Sequence, residues 1–118
     1  QVSVNENREG VPRLRTLYKN EGRTGPRYLG INHILTVAAT DDIAHEQAYP
    51  TVAQVFPSEE EYRQRTLVGS PATVAARLKE FHDLGVNWVE VRPVYPTIEN
   101  LIEQMRLLRN EVLPAVVG

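Results

Sequence analysis

Residues 70–94 read SPATVAARLKEFHDLGVNWVEVRPV, and this stretch decides how the rest of the chain is understood. Ser70 is an N-cap residue and Pro71 stands at the first helical position, where its missing N–H costs nothing. Val74, Leu78 and Phe81 then recur at helical spacing as far as Gly85, a helix stop. Directly after it, Val86 to Tyr95 reads as a strand, with Val89 and Val91 alternating against Trp88, Glu90 and Arg92. A helix running straight into an apolar strand is half of a βα repeat, and parallel sheets are built from such repeats.

The same grammar extends outward. Leu29 to Ala39 is rich in Ile, Leu and Val and stops at Thr40-Asp41-Asp42, which predicts a strand buried on both faces. Thr40 or Asp41 caps a helix over Ile43, Ala44, Ala48, Val52 and Val55, with Pro50 expected to kink or split it. Ser58 and Glu61 have the spacing of a capping box and open a short polar helix. Thr97 caps a last helix whose apolar side is Ile98, Leu101, Met105, Leu108 and Val112, ending before Pro114. Upstream, Val11, Leu14, Leu17 and Tyr18 predict an amphipathic helix with Pro12 in its first turn and a stop at Gly22. Arg23 to Tyr28 is a loop.

Two strands with helices between them must pair in parallel. A two-stranded parallel sheet leaves both outer edges open, so the expected fold class is α/β: two parallel strands and about five helices from a larger sheet or barrel. A self-contained small α/β fold stays open as the alternative. The chain is treated as one partial domain, 1–118, with 40–67 as an irregular excursion or lid. It begins with Gln rather than Met, so it is expected to be processed or part of a longer product.

Composition excludes several classes. Thirteen Lys and Arg against fifteen Asp and Glu give a net charge of -2, with no basic excess for nucleic acid or an acidic membrane. There is no cysteine, hence no disulfide framework or thiolate nucleophile, which suits a cytoplasmic setting. No apolar run approaches the roughly 18 residues of a membrane span, and the first ten residues have no secretory pattern.

Three groups of residues have the form of a known family. They are Leu67-Val68-Gly69-Ser70-Pro71 with Val74-Ala75-Ala76-Arg77-Leu78, then Leu84-Gly85-Val86 with Trp88-Val89-Glu90-Val91-Arg92-Pro93, and finally Asn110-Glu111-Val112-Leu113-Pro114-Ala115. Their order and spacing resemble the closing segment of the luciferase-like monooxygenases. The resemblance spans residues 9 to 118, densely after 67 and thinly from 41 to 66. It implies the C-terminal βα units of a (β/α)₈ TIM barrel, with Gly30 to Ala39 as the seventh strand and Val86 to Tyr95 as the eighth. It also implies a flavin-type cofactor, FMN or the deazaflavin coenzyme F420, and a small organic substrate in the intact barrel.

The family's catalytic and phosphate-binding residues lie mostly upstream, so none is transferred. The isolated segment is expected to be inactive and to bind flavin weakly, lacking a glycine-rich phosphate loop. The competing function is a non-catalytic, self-associating fragment or small binding module. Either way a homodimer, or association with the rest of a barrel, is expected.

In a barrel, function sits at the C-terminal ends of strands, here Ala38 to Asp42 and Arg92 to Pro96. Arg92 is the candidate cofactor contact, since a guanidinium there suits a phosphate or reduced flavin; a salt bridge, for instance to Glu90, is the plainer role. His33 lies mid-strand and reads as a hydrogen-bonded core side chain. His45 and His82 lack the spacing of a zinc site. The Glu59 to Glu61 run serves a helix start, and Trp88 reads as core packing.

Overall fold

The computed structural model describes residues 2–25 and 28–117; Pro26 and Arg27, within the expected loop, lie outside the described residues. Helix α1 covers Val4–Asn20, begun by a box in which Ser3 Oγ accepts the Glu6 N–H and Glu6 accepts the Ser3 N–H. Because this box starts the helix well before Val11, Pro12 stands inside it rather than in its first turn. Of the expected apolar face, Val11 is buried but Leu17 is exposed. The helix closes at Gly22, whose φ of 70° is in the left-handed region.

Strand β1 (Gly30–Val37) is central, flanked in parallel by β2 (Leu67–Gly69) and β3 (Trp88–Pro93). The expected adjacent parallel pair is present, in register from Gly30 opposite Trp88 to Leu35 opposite Pro93. The expected count of two strands is corrected to three among the described residues. Leu67-Val68-Gly69 pairs with Leu35, Thr36 and Val37, but three residues are too few for alternation to show in sequence.

Helices cover both faces of this sheet. On one face Leu35, Val37 and Leu67 pack with Val74, Ala75, Leu78, Leu107 and Val112, while Ile31 packs with Val4, Phe81 and Val86. These contacts come from α1, from α4 (Pro71–Asp83) and from the C-terminal helix. The opposite face carries Ala38 and Val68 under Ala44, Ala48, Val52 and Tyr62, with Ile34 and Val94 beside them. Those residues belong to α2 (Asp41–Val52) and α3 (Glu59–Arg65), joined through a 3₁₀ turn at Ala53–Val55. The chain steps from β1 to one side and then across to the other. Crossovers of a common hand must then lie on opposite faces, as these do. Strand β1 is consequently buried on both faces only in its C-terminal half; Gly30 and Asn32 are exposed.

Local details depart from expectation where proline is concerned. Helix α2 is capped by Thr40 and runs through Pro50 to Val52, unsplit. Its buried stripe is Ala44, Ala48 and Val52, while Ile43 and Val55 are exposed. The last helix, α5 (Ile98–Leu107), does not stop before Pro114. It passes through a π-helical turn, Leu108–Val112, into α6 (Leu113–Val117). The wider turn re-sets the hydrogen-bond ladder just where proline withholds a donor. Its inward face also differs: Gln104, Leu107 and Val112 are buried, whereas Ile98 and Met105 are exposed. Gln104 turns inward because its amide bridges the Val37 N–H, the Val94 carbonyl and Asn100.

Helix α4 follows its sequence signals. Ser70 Oγ accepts the Thr73 N–H, and Val74, Leu78 and Phe81 are buried. Gly85 closes the unit with φ 101°, and an added Cβ would meet a nitrogen of the flexible Arg15 side chain. Gly85→Ala is expected to cost about 1–2 kcal/mol through the left-handed backbone, visible as a lower denaturation midpoint with unchanged slope.

Candidate functional site

Two polar regions are built on this frame. The first lies at the carboxyl ends of β1 and β2, where open α/β sheets place their ligands. Asp41 follows β1 and caps the neighbouring helix: its Oδ1 accepts the Ser70 N–H at 2.7 Å. Hydrogen bonds from Ser70 and Thr73 hold this carboxyl below the usual range, so it is ionised at neutral pH. Gly69 leaves it room, since a Cβ there would sit 2.9 Å from Asp41 Oδ1.

One helical turn on, His45 Nδ1 lies 3.0 Å from the hydroxyl of Tyr62, and Nε2 lies 3.4 Å from Arg63 Nη1. Burial, and then the positive charge of Arg63, push its pKa below the ordinary imidazole value. The neutral ring fits as a donor from Nδ1 to tyrosine and an acceptor at Nε2 from arginine. Asp41, Asp42, His45, Arg63, Thr73 and Arg77 border a hollow of about 420 Å³. Much of its donor capacity is already committed: Arg77 donates to the Arg63 and Gln64 carbonyls, and Arg63 pairs with Glu59 at 3.1 Å. The hollow offers a polar, mixed-charge rim rather than an acid–base pair aimed at one point.

The second region is the uncovered N-terminal half of the sheet. Asn32, Trp88, Glu90 and Arg92 lie on one face there and are exposed. Glu90 and Arg92 are two positions apart on β3, yet no ion pair joins them among the described residues. Trp88 is 57% exposed and meets Tyr28 edge-on at 5.6 Å between ring centres, so its expected place in the core is corrected. It sits on an outer strand of the described sheet, with Tyr28 against its edge.

The remaining candidates have structural roles. His33 is wholly buried, Nε2 is 2.7 Å from the Val2 carbonyl and its ring meets Phe81 edge-on. Glu59, Glu60 and Glu61 pair with Arg63, Gln64 and Arg65 one turn on, Arg65 also reaching Glu6. His82 ends α4 on the surface. Among the described residues no group of three or more His, Asp or Glu could hold a metal ion, and no helix is long and apolar enough to cross a membrane.

Sequence reasoning missed Tyr62, Arg63, Thr73 and Arg77 as neighbours of the Asp41 end. A terminal Asp in the flagged Ala38 to Asp42 segment was the available signal.

No family model matches the chain, and no curated protein matches it. Among solved structures it is similar to the monooxygenase RslO1 from Streptomyces bottropensis, with a TM-score of 0.69 and 16% identity. The likeness covers 94% of this chain and 38% of that one, so the chain spans well under half of that protein's length. At such identity the likeness concerns the fold alone, which is mixed α/β.

Proposed function

We propose that this chain is the C-terminal part of a flavin- or deazaflavin-dependent oxidoreductase of the monooxygenase type, acting on a small organic substrate. The observation that carries the proposal is the likeness of nearly the whole chain to part of a monooxygenase. The motif order from Leu67 to Ala115 supports it. In this reading β1 and β3 are neighbouring strands of a (β/α)₈ barrel. Asn32, Glu90 and Arg92 then look toward its interior, and α2 and α3 lie over the carboxyl ends as a lid. A cytoplasmic setting belongs to the same proposal.

The residues present fit a flavin-type cofactor in part. Arg92 is exposed and has no ion-pair partner among the described residues, which suits the phosphate of FMN or of coenzyme F420. There is no glycine-rich cradle to complete the contact, so most of the binding would come from elsewhere in a longer chain. When bound, such a cofactor supplies hydride transfer or oxygen activation. This chain's part is to complete the barrel wall, place a cation and exclude water.

The test is cofactor titration on the native gene product. Arg92→Ala is expected to raise the Kd of FMN or F420 about tenfold or more, the effect of losing one charge-assisted hydrogen bond. An unchanged Kd removes Arg92 from the site. The 118-residue chain alone is expected to bind neither cofactor at sub-micromolar concentration.

A second reading is a self-contained, self-associating α/β module. It is favoured by the core packed on both faces of β1, including the fully buried Tyr62 and Leu35.

A further inference from the structure

The pairing of β1 with β3 breaks off one rung short of where it could end. Trp88 N–H donates to the Leu29 carbonyl, and Val94 N–H donates to the Leu35 carbonyl. In a parallel ladder a residue that donates to position i accepts from position i+2. The next rung would therefore run from the Val37 N–H to the Val94 carbonyl. Those two groups are joined instead through the carboxamide of Gln104, which enters from α5. Its Oε1 accepts the Val37 N–H at 3.2 Å, and its Nε2 donates to the Val94 carbonyl at 2.8 Å. Nε2 also donates to Asn100 Oδ1 at 2.9 Å, so the partners fix which end of the amide is which.

Two things make this arrangement unusual. Gln104 has no exposure, whereas glutamine is mostly a surface residue. The two backbone groups it serves could also satisfy each other, if the strands closed by one more rung. A wedge is kept where a simpler bond was possible, and such departures gather at functional sites. The place is the carboxyl ends of neighbouring parallel strands, where α/β folds bind their ligands. Leu107, one turn along α5, belongs to the same buried cluster as Leu35 and Val37, so the helix that carries the wedge is fixed to the sheet. All of these groups lie between β1, β3 and α5, and the break does not depend on what adjoins either outer strand.

We propose that Gln104 is a positioning residue: its amide holds the carboxyl ends of β1 and β3 apart, and so sets the end of β3, with Arg92 and the connection 94–97, for the cofactor. This inference rests on the oxidoreductase reading. Gln104 reaches the strands from the face covered by α4 and α5, while Arg92 is exposed on the other face. It therefore acts through the backbone of β3 and touches no ligand. Without the donor, the Val94 carbonyl loses its bridge. Without the whole amide, the ladder closes by one rung and draws the end of β3 toward β1.

Gln104→Glu separates this role from the filling of space. A carboxylate still accepts the Val37 N–H but donates nothing to the Val94 carbonyl or to Asn100; once protonated, it donates again. Burial among carbonyls raises its pKa above that of the unfolded chain, so the variant keeps its stability in acid and loses it as pH rises. The test is titration of the native gene product with FMN and with F420, each variant compared with the unsubstituted protein at the same pH. The Gln104→Glu Kd is expected to be about tenfold higher at about pH 9 and close to the native value at about pH 6. Gln104→Met keeps the volume without the hydrogen bonds and covers the case in which the charged variant does not fold. Its Kd is expected to rise by a similar factor at every pH. A native Kd in Gln104→Met overturns the proposal, and so does a Gln104→Glu Kd ratio that ignores pH. Native stability of Gln104→Glu at the higher pH also overturns it, since the amide would then not be bridging. If the unsubstituted protein binds neither cofactor, the oxidoreductase reading falls and takes this role with it. If it binds one and both variants bind equally well, this inference alone falls.

Discussion

Phe81→Ala is expected to remove about 3–5 kcal/mol of stability, the usual cost of truncating a buried phenylalanine. Phe81 has no exposure and fills the cluster of Val4, Ile31 and Val86, where α1 and α4 meet the sheet. Its ring also meets His33 edge-on at 5.2 Å, so the cavity would open beside that buried imidazole. A domain of this size is typically stable by about 5–15 kcal/mol, so the variant stands near the limit of folding. Urea denaturation measures this directly. A loss under about 1 kcal/mol would mean that α1 and α4 do not share a core.

The second large effect is a loss of stability in mild acid, centred on His33. Burial lowers its pKa from 6.5 to about 4, against the opposing influence of the Val2 carbonyl, to which Nε2–H donates. Nδ1 is buried without a partner, so a second proton would have no acceptor. The folded form therefore keeps the ring neutral while the unfolded chain protonates near 6.5. Between those two pH values the unfolded state binds more protons, and stability falls as pH falls. It is fully present above pH 6.5 and diminished by about 3 kcal/mol once pH is below about 4. His45, also lowered, and the lowered carboxyls of Asp41, Glu6 and Glu103 lose stability in the same direction. The His33 share is the difference in slope between the native chain and His33→Gln from pH 7 to 4. Equal slopes would show that His33 is solvated.

What was legible in the sequence was local. Ser70, Pro71, the Val74–Leu78–Phe81 stripe and Gly85 act within a few residues of one another, and α4 formed as they indicate. Thr40 and Thr97 cap their helices for the same reason. The β1–β3 pairing followed from apolar runs, since a strand that is apolar throughout needs cover. The misses are non-local. Strand β2 is three residues held by pairing with β1, and Gln104 is buried because distant backbone groups need it. Trp88, on the last strand, reads as core packing, but the exposed position of β3 is a property of topology. The polar hollow depends on Asp41 meeting Ser70 and His45 meeting Tyr62, contacts between residues 29 and 17 positions apart. Nothing in either local pattern announces them.

The central claim is that this fold serves a flavin or deazaflavin oxidoreductase, and the visible absorption spectrum of the purified native gene product tests it most directly. The expected result is a bound yellow chromophore, present on isolation or after adding FMN or F420 and removing the excess, that bleaches on reduction. A protein that stays colourless and retains neither cofactor would contradict the claim.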